Sequence, residues 1–146
     1  MTLLGAVDPP ALPGVYLLWF AVPRPLSVAW RRDSLTLLSP GVYVYVGSAL
    51  GPGGLQARLR RHTGDPAQRR VHWHIDHLTA LITPAAIRYM PTAQRRECQW
   101  VQTLAEAGAW FPVPGFGSSD CRQRCPAHLL ALPASWSLLT LETLLP

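Results

Sequence analysis

The sequence predicts an α+β fold: a small, mainly antiparallel sheet of three to four strands flanked by helices. Three observations carry that expectation. Two runs dominated by β-branched, aromatic and aliphatic residues, "VYLLWFAV" at 15–22 and "GVYVYVG" at 41–47, read as strands. Two later segments, "GLQARLRRH" and "TAQRRECQWVQTLAEAG", repeat apolar residues at helical spacing. The elements run strands, helices, a strand, then a helix, which suits a sheet with helices packed on it.

Taken in order, residues 15–22 are apolar at both alternating sets of positions, as in a strand covered on both faces. Pro23, Arg24 and Pro25 end it, and "LSVAW" (26–30) reads as an antiparallel return strand. "RRDSLTLLSPG" then connects to 41–47. There the pleat puts Val42, Val44 and Val46 on one face and Tyr43 and Tyr45 on the other. "SALGPGG" (48–54) is a loop, and the helix after it places Leu55, Leu59 and His62 on one side. "HWHIDHLTALI" predicts a second helix with Val71, Ile75, Leu78 and Ile82 as its buried stripe, and "AAIRYM" a further strand. The strongest helix follows, with Thr92 as its candidate N-cap and Gly108 closing it. Beyond Gly108 come a Pro/Gly/Ser loop and two short apolar elements, "HLLAL" and "SWSLLTLETLL", whose type the pattern leaves open.

At 146 residues and 49% hydrophobic content, the chain is long and apolar enough for one packed domain over 1–146. No apolar run reaches membrane-spanning length, and the N-terminus lacks the basic start and apolar stretch of a secretory signal. The expected compartment is therefore the cytoplasm, with no membrane partner. Thirteen basic residues face eight acidic ones for a net charge of +5, and every basic residue is Arg. Planar guanidinium groups suit phosphate, so a polyanion is one explanation. GC-rich coding, which favours Arg, Pro and Ala over Lys and Asn, is the other. Position has to decide between them.

Three clusters could carry chemistry. Glu97 lies in the apolar stripe of the strongest helix, three and four residues before Trp100 and Val101. A carboxylate there is costly unless paired, protonated or metal-bound, although near a helix start it could simply complement the dipole. Arg58 and His62 are neighbours one helical turn apart and either lean over the sheet or form a solvated basic face. Tyr16 and Tyr45 lie on strands, where a phenol is commonly plain core. Gathered on one sheet face, these five would supply a proton acceptor, a cation for phosphate and a carboxylate for a divalent ion.

"GVY" at 14–16 and "YVG" at 45–47, followed by Arg58-x-x-x-His62 and the helix-borne Glu97 of "REC", resemble the ordered signature of the GIY-YIG nuclease superfamily. "HWHIDHL", "PVPGFGSSDC" and the nearby "HL" extend the likeness to a little-characterised branch found alone or fused to endonuclease III-type repair glycosylases. The motif core then covers about 14–108, with a family-specific extension over 109–146. The resemblance implies a metal-dependent endonuclease acting on DNA in repair or processing, with a repair protein as a possible partner. Tyr16, Tyr45, Arg58, His62 and Glu97 would be catalytic, with Glu97 the one protein ligand to Mg²⁺ or Mn²⁺. Tyr16 would accept a proton from the attacking water, its phenolate favoured by cations at Arg58 and His62, and His62 could relay that proton. Tyr45 would position water or phosphate. Gly47, Ser48, Arg61, His72, His74, Ser118 and Ser119 are the candidates for nucleic-acid contact. The superfamily's late Asn has no counterpart here, since the chain has none, and Asp120, Ser118 and Ser119 of "GSSDC" are the candidates to replace it.

Two further patterns stay open. "HWHIDHL" could line a nucleic-acid groove, make structural hydrogen bonds or bind metal. Cys121, Cys125 and His128, with Cys98 as a fourth, could hold zinc, but C-x₃-C-x₂-H is not a common zinc spacing and packed, reduced thiols are the expectation. "GSALGPGG" lacks the Lys-Ser/Thr of a nucleotide-binding loop. The competing functional readings are a non-catalytic module for branched or damaged DNA, and a structural protein with no nucleic-acid partner. No base-reading motif is present, so recognition of structure or ends is expected over sequence.

Overall fold

The computed structural model describes residues 2–3 and 8–146. It contains β1 (Thr2–Leu3), β2 (Gly14–Val22), β3 (Leu26–Arg31), β4 (Ser34–Leu38), β5 (Gly41–Ala49) and α1 (Gly54–Thr63). After a short 3₁₀ turn come α2 (His74–Thr79), β6 (Ala86–Pro91), α3 (Glu97–Ala107), β7 (Leu129–Leu132) and α4 (Leu138–Leu144). The main sheet runs β1-β6-β2-β5-β7 with every neighbouring pair antiparallel. Four strands and a two-residue edge strand thus realise the expected α+β architecture. Among the described residues, no helix is long and apolar enough to cross a membrane.

β2 is the centre of the sheet and is buried at every position but Ala21. Its unbroken apolar run follows from cover on both faces. One face carries Tyr16, Leu18 and Phe20 with Tyr43 and Tyr45, packed against Leu55 and Leu59 of α1 and Ile75 and Leu78 of α2. The other carries Val15, Leu17 and Trp19 with Val44 and Val46, packed against Trp100, Val101 and Leu104 of α3 and Leu141 of α4. The pleat parity read for 41–47 therefore holds, and so does the α1 stripe of Leu55, Leu59 and His62.

Several expectations are corrected. β3 forms, but it does not return along β2. It pairs with β4, a strand hidden in the supposed connection, to make a separate two-stranded ribbon. Both edges of β2 are already taken by β5 and β6, so the ribbon instead buries Val28 and Trp30 on the α2 side of the core. α2 is shorter than 72–82, and Val71 is 56% exposed rather than buried. The Asp76 carboxylate accepts the backbone N–H groups of His72 and Trp73, which fixes the helix start at His74. Thr92 does not cap α3. Its amide bonds the Pro13 carbonyl and its hydroxyl accepts the Gln94 amide, a local turn that delays the helix to Glu97. Gly108 does close α3, with φ at 129° and its amide on the Leu104 and Ala105 carbonyls. The two open C-terminal elements resolve as the edge strand β7 and the helix α4.

Candidate active site

Two adjacent strands of the same parity deliver the two phenols. Tyr16 stands opposite Gly47 in the β2–β5 ladder, and Leu18 stands opposite Tyr45, so both rings project from one face. The glycine is required there: a Cβ on residue 47 would come within 2.5 Å of the Tyr16 hydroxyl. Gly117 plays the same part for Tyr45, with φ at +77° and a virtual Cβ 2.6 Å from the ring.

α1 lies over this face and lowers His62 onto Tyr16. The Tyr16 hydroxyl and His62 Nε2 are 2.7 Å apart in a buried hydrogen bond, while His62 Nδ1 is buried without a partner. Burial pushes the Tyr16 phenol up to about 12, against the opposing pull of the Arg58 guanidinium. Burial, reinforced by Arg58, drives His62 down to about 3. Tyr45 is pushed up further still by burial and by Tyr16. The expectation of a phenolate favoured by a His62 cation is therefore corrected. At neutral pH the pair rests as phenol and neutral imidazole, because desolvation opposes charge on either partner.

Arg58, one turn before His62, donates from Nη1 to the Ser48 carbonyl at 3.1 Å. Its guanidinium carbon lies 4.3 Å from the centre of the Trp73 ring, a stacking that holds the planar fork in place. Glu97, the first residue of α3, is 9% exposed and accepts a hydrogen bond from the Ser48 hydroxyl. Its other oxygen lies 3.6 Å from the exposed Arg95 guanidinium. Ser48 thus links the acid to the cation, its side chain on one and its carbonyl on the other. All five candidate catalytic residues, with Gly47 and Ser48, line one cleft of about 130 Å³.

The other candidates are placed differently. Arg61 is bound to Asp76 at 2.8 Å and packs on the same Trp73 ring, at the side of the cleft. Asp76 is held below the usual carboxylate range, where the Arg61 guanidinium and the two backbone N–H groups outweigh its burial. His74 makes structural contacts and also lines the depression that His72 borders. Its ring meets Trp30 edge-on at 4.8 Å and its Nδ1 accepts the Gly117 amide at 2.9 Å, so it holds the loop that shapes the Tyr45 pocket. His72 packs edge-on against Trp73 and, with Ser119 and Asp120, borders a shallow depression beside the cleft. Ser118 is half-buried and its hydroxyl turns toward the Pro126 carbonyl. Asp120 also lines the cleft of the five candidates.

Trp73, Arg95 and His128 belong to the cleft wall but were not singled out as its lining from the sequence. For Trp73 a signal existed, an aromatic residue among arginines and histidines. Nothing local marks Arg95, whose place follows from the delayed start of α3. A second group shares this wall through Cys121 and His128. The ligand atoms of Cys98, Cys121, Cys125 and His128 all fall within 4.8 Å of one another, and this group could hold a metal ion. All three cysteines are free thiols, as expected, and the packing brings them together with His128.

No curated protein and no solved structure matches the chain. A model of one family, described as a domain of unknown function, matches residues 15–143, from the central strand into the last helix. By that match over most of its length, the chain belongs to the DUF123 family.

Proposed function

We propose that the domain hydrolyses nucleic-acid phosphodiester bonds, with DNA as its substrate. The observation that carries this reading is the meeting of Tyr16, Tyr45, Arg58, His62 and Glu97 around a single cleft. DUF123 is a GIY-YIG-like family, which supports the same assignment.

In this reading Arg58, pinned by Ser48 and Trp73, takes the non-bridging oxygens of the scissile phosphate and offsets their growing charge. Tyr16 receives a proton from the attacking water as its own hydroxyl proton passes to His62 Nε2. An anionic phosphate seated on Arg58 cancels part of the positive charge that depresses His62, so substrate itself readies the imidazole to accept. Tyr45, protonated and buried beside Tyr16, orients the water or a phosphate oxygen.

Glu97 fits a divalent cation. It is a single, nearly buried carboxylate oriented by Ser48, and the cation that competes for it, Arg95, is exposed and free to swing away. Magnesium accepts such sparse protein ligation and keeps its waters. When bound it would supply Lewis acidity to a phosphate oxygen and the leaving oxygen.

The test is supercoiled plasmid, with a single-stranded RNA in parallel, incubated with and without Mg²⁺. Nicking that needs Mg²⁺ and falls at least about 100-fold in Arg58→Ala and Glu97→Gln is expected. Plasmid retarded in a salt-sensitive way but never cut would instead make this a binding module. Cleavage by either variant at the parental rate would refute the site.

A further inference from the structure

The thiols and imidazole at the wall of the cleft come from three places in the chain. Cys98 is the second residue of α3, Cys121 and Cys125 lie in the loop before β7, and His128 immediately precedes that strand. Cys98 Sγ stands 3.4 Å from Cys121 Sγ and 3.9 Å from His128 Nε2. A disulfide bond is about 2.05 Å long, and all three cysteines are free. Around a tetrahedral zinc, with Zn–S about 2.3 Å and Zn–N about 2.0 Å, neighbouring ligand atoms stand about 3.5 to 3.8 Å apart. The Sγ–Sγ pair is closer and the Sγ–Nε2 pair wider than these values, and all four ligand atoms lie within 4.8 Å of one another, so the set needs only small side-chain adjustments to close on an ion.

Cys98 is buried and Cys125 packs against the α3 side of the core, but apolar packing alone does not bring four potential ligand atoms within 4.8 Å of one another. Between Cys121 and Cys125 the chain is Arg122, Gln123 and Arg124, all exposed. Arg124 has φ at 56°, a left-handed conformation uncommon for a residue with a side chain, and it bends the loop just ahead of Cys125. The turn rests on the α3 side of the core only through Cys125, and its exposed three-residue tip carries no apolar side chain to hold it.

We propose that Cys98, Cys121, Cys125 and His128 bind one zinc ion in a closed, structural site. Three thiolates and an imidazole are a soft, tetrahedral donor set that suits zinc, and four protein ligands leave no position for a reacting water. On binding, the three thiols release their protons to solvent and the zinc keeps its charge state. The site rests on its own ligand geometry and does not depend on the cleft being a nuclease. Its position nonetheless matters to the cleft. Cys98 follows Glu97, and Cys121 and His128 are themselves part of the wall. The ion would clamp the loop before β7 to the first turn of α3 and so fix where Glu97 points.

The experiment uses the full chain, reduced and metal-free under anaerobic conditions, titrated with Co²⁺ and then Zn²⁺. One equivalent of Co²⁺ should give the intense visible bands and thiolate charge-transfer absorption of tetrahedral cysteine ligation. One equivalent of Zn²⁺ should abolish them, and excess Mg²⁺ should not. Zinc should raise Tm by about 10 °C. Cys98→Ser and Cys125→Ser should lose the signal, and if either fails to fold, the parental cobalt spectrum still decides. A weak octahedral spectrum, no binding by a chain with intact far-UV circular dichroism, or a Cys98–Cys121 disulfide with no bound metal would overturn the proposal.

Discussion

Replacing His62 with glutamine should change how the fold responds to acid. In the parental protein the buried imidazole protonates only near 3, whereas in the unfolded chain it does so at its ordinary 6.5. Between those values the unfolded state binds the extra proton, so stability is present above 6.5 and is lost as pH falls. The slope approaches about 1.4 kcal/mol per pH unit, and between pH 7 and pH 5 the loss comes to about 2 kcal/mol. Because His62 is almost wholly buried, little of that is screened by solvent. Glutamine keeps a hydrogen-bonding amide near Tyr16 and does not titrate. At pH 7 the variant should be the less stable of the two by about 1 kcal/mol for the altered bond and packing. By pH 5 the gap should close or invert. Urea unfolding at both pH values measures this, and acid effects shared by both chains cancel in the difference. Parallel pH dependences for parent and variant would refute the burial argument on which the Tyr16–His62 pair rests.

Two other substitutions probe the scaffold. Gly47→Ala sets a methyl group 2.5 Å from the Tyr16 hydroxyl. It should cost about 1 to 3 kcal/mol in chemical denaturation and reduce plasmid nicking as Tyr16 is displaced from His62, whereas parental stability would show that the close approach is absent. Asp76→Ala leaves the amides of His72 and Trp73 without their acceptor and Arg61 with only the Arg70 carbonyl. About 2 to 3 kcal/mol of lost stability is expected, less than for a fully buried pair because Arg61 is 25% exposed, and an unchanged thermal midpoint would contradict it.

The parts of the fold most legible in the sequence were those decided by local pattern. The all-apolar β2, the alternating β5, the His62 face of α1 and the Gly108 stop each follow from a few consecutive residues. What escaped depends on which partner is vacant. β3 carries a sound strand pattern, yet its pairing was settled by the occupied edges of β2. The start of α3 was settled by the Thr92 amide reaching back to Pro13. The five cleft residues could be named in advance because each sits at a fixed offset from a recognisable element. The four members of the cysteine group could also be named, but not that they meet. Cys98 meets Cys121 only through the path of an irregular loop, and sequence spacing carries no trace of that path.

β2 and β5 pair without interruption from Gly14–Ala49 to Val22–Gly41, and this ladder sets the handedness of the whole pocket. A slip of one position would turn one strand's phenol through the sheet toward α3, and a slip of two would drive Tyr16 against Tyr45 or Ala49. Alignment of the two hydroxyls is thus inherited from the continuous backbone ladder at the centre of the sheet. Loops and helices around the rim can vary in length or breathe while the distance between those two oxygens stays nearly constant.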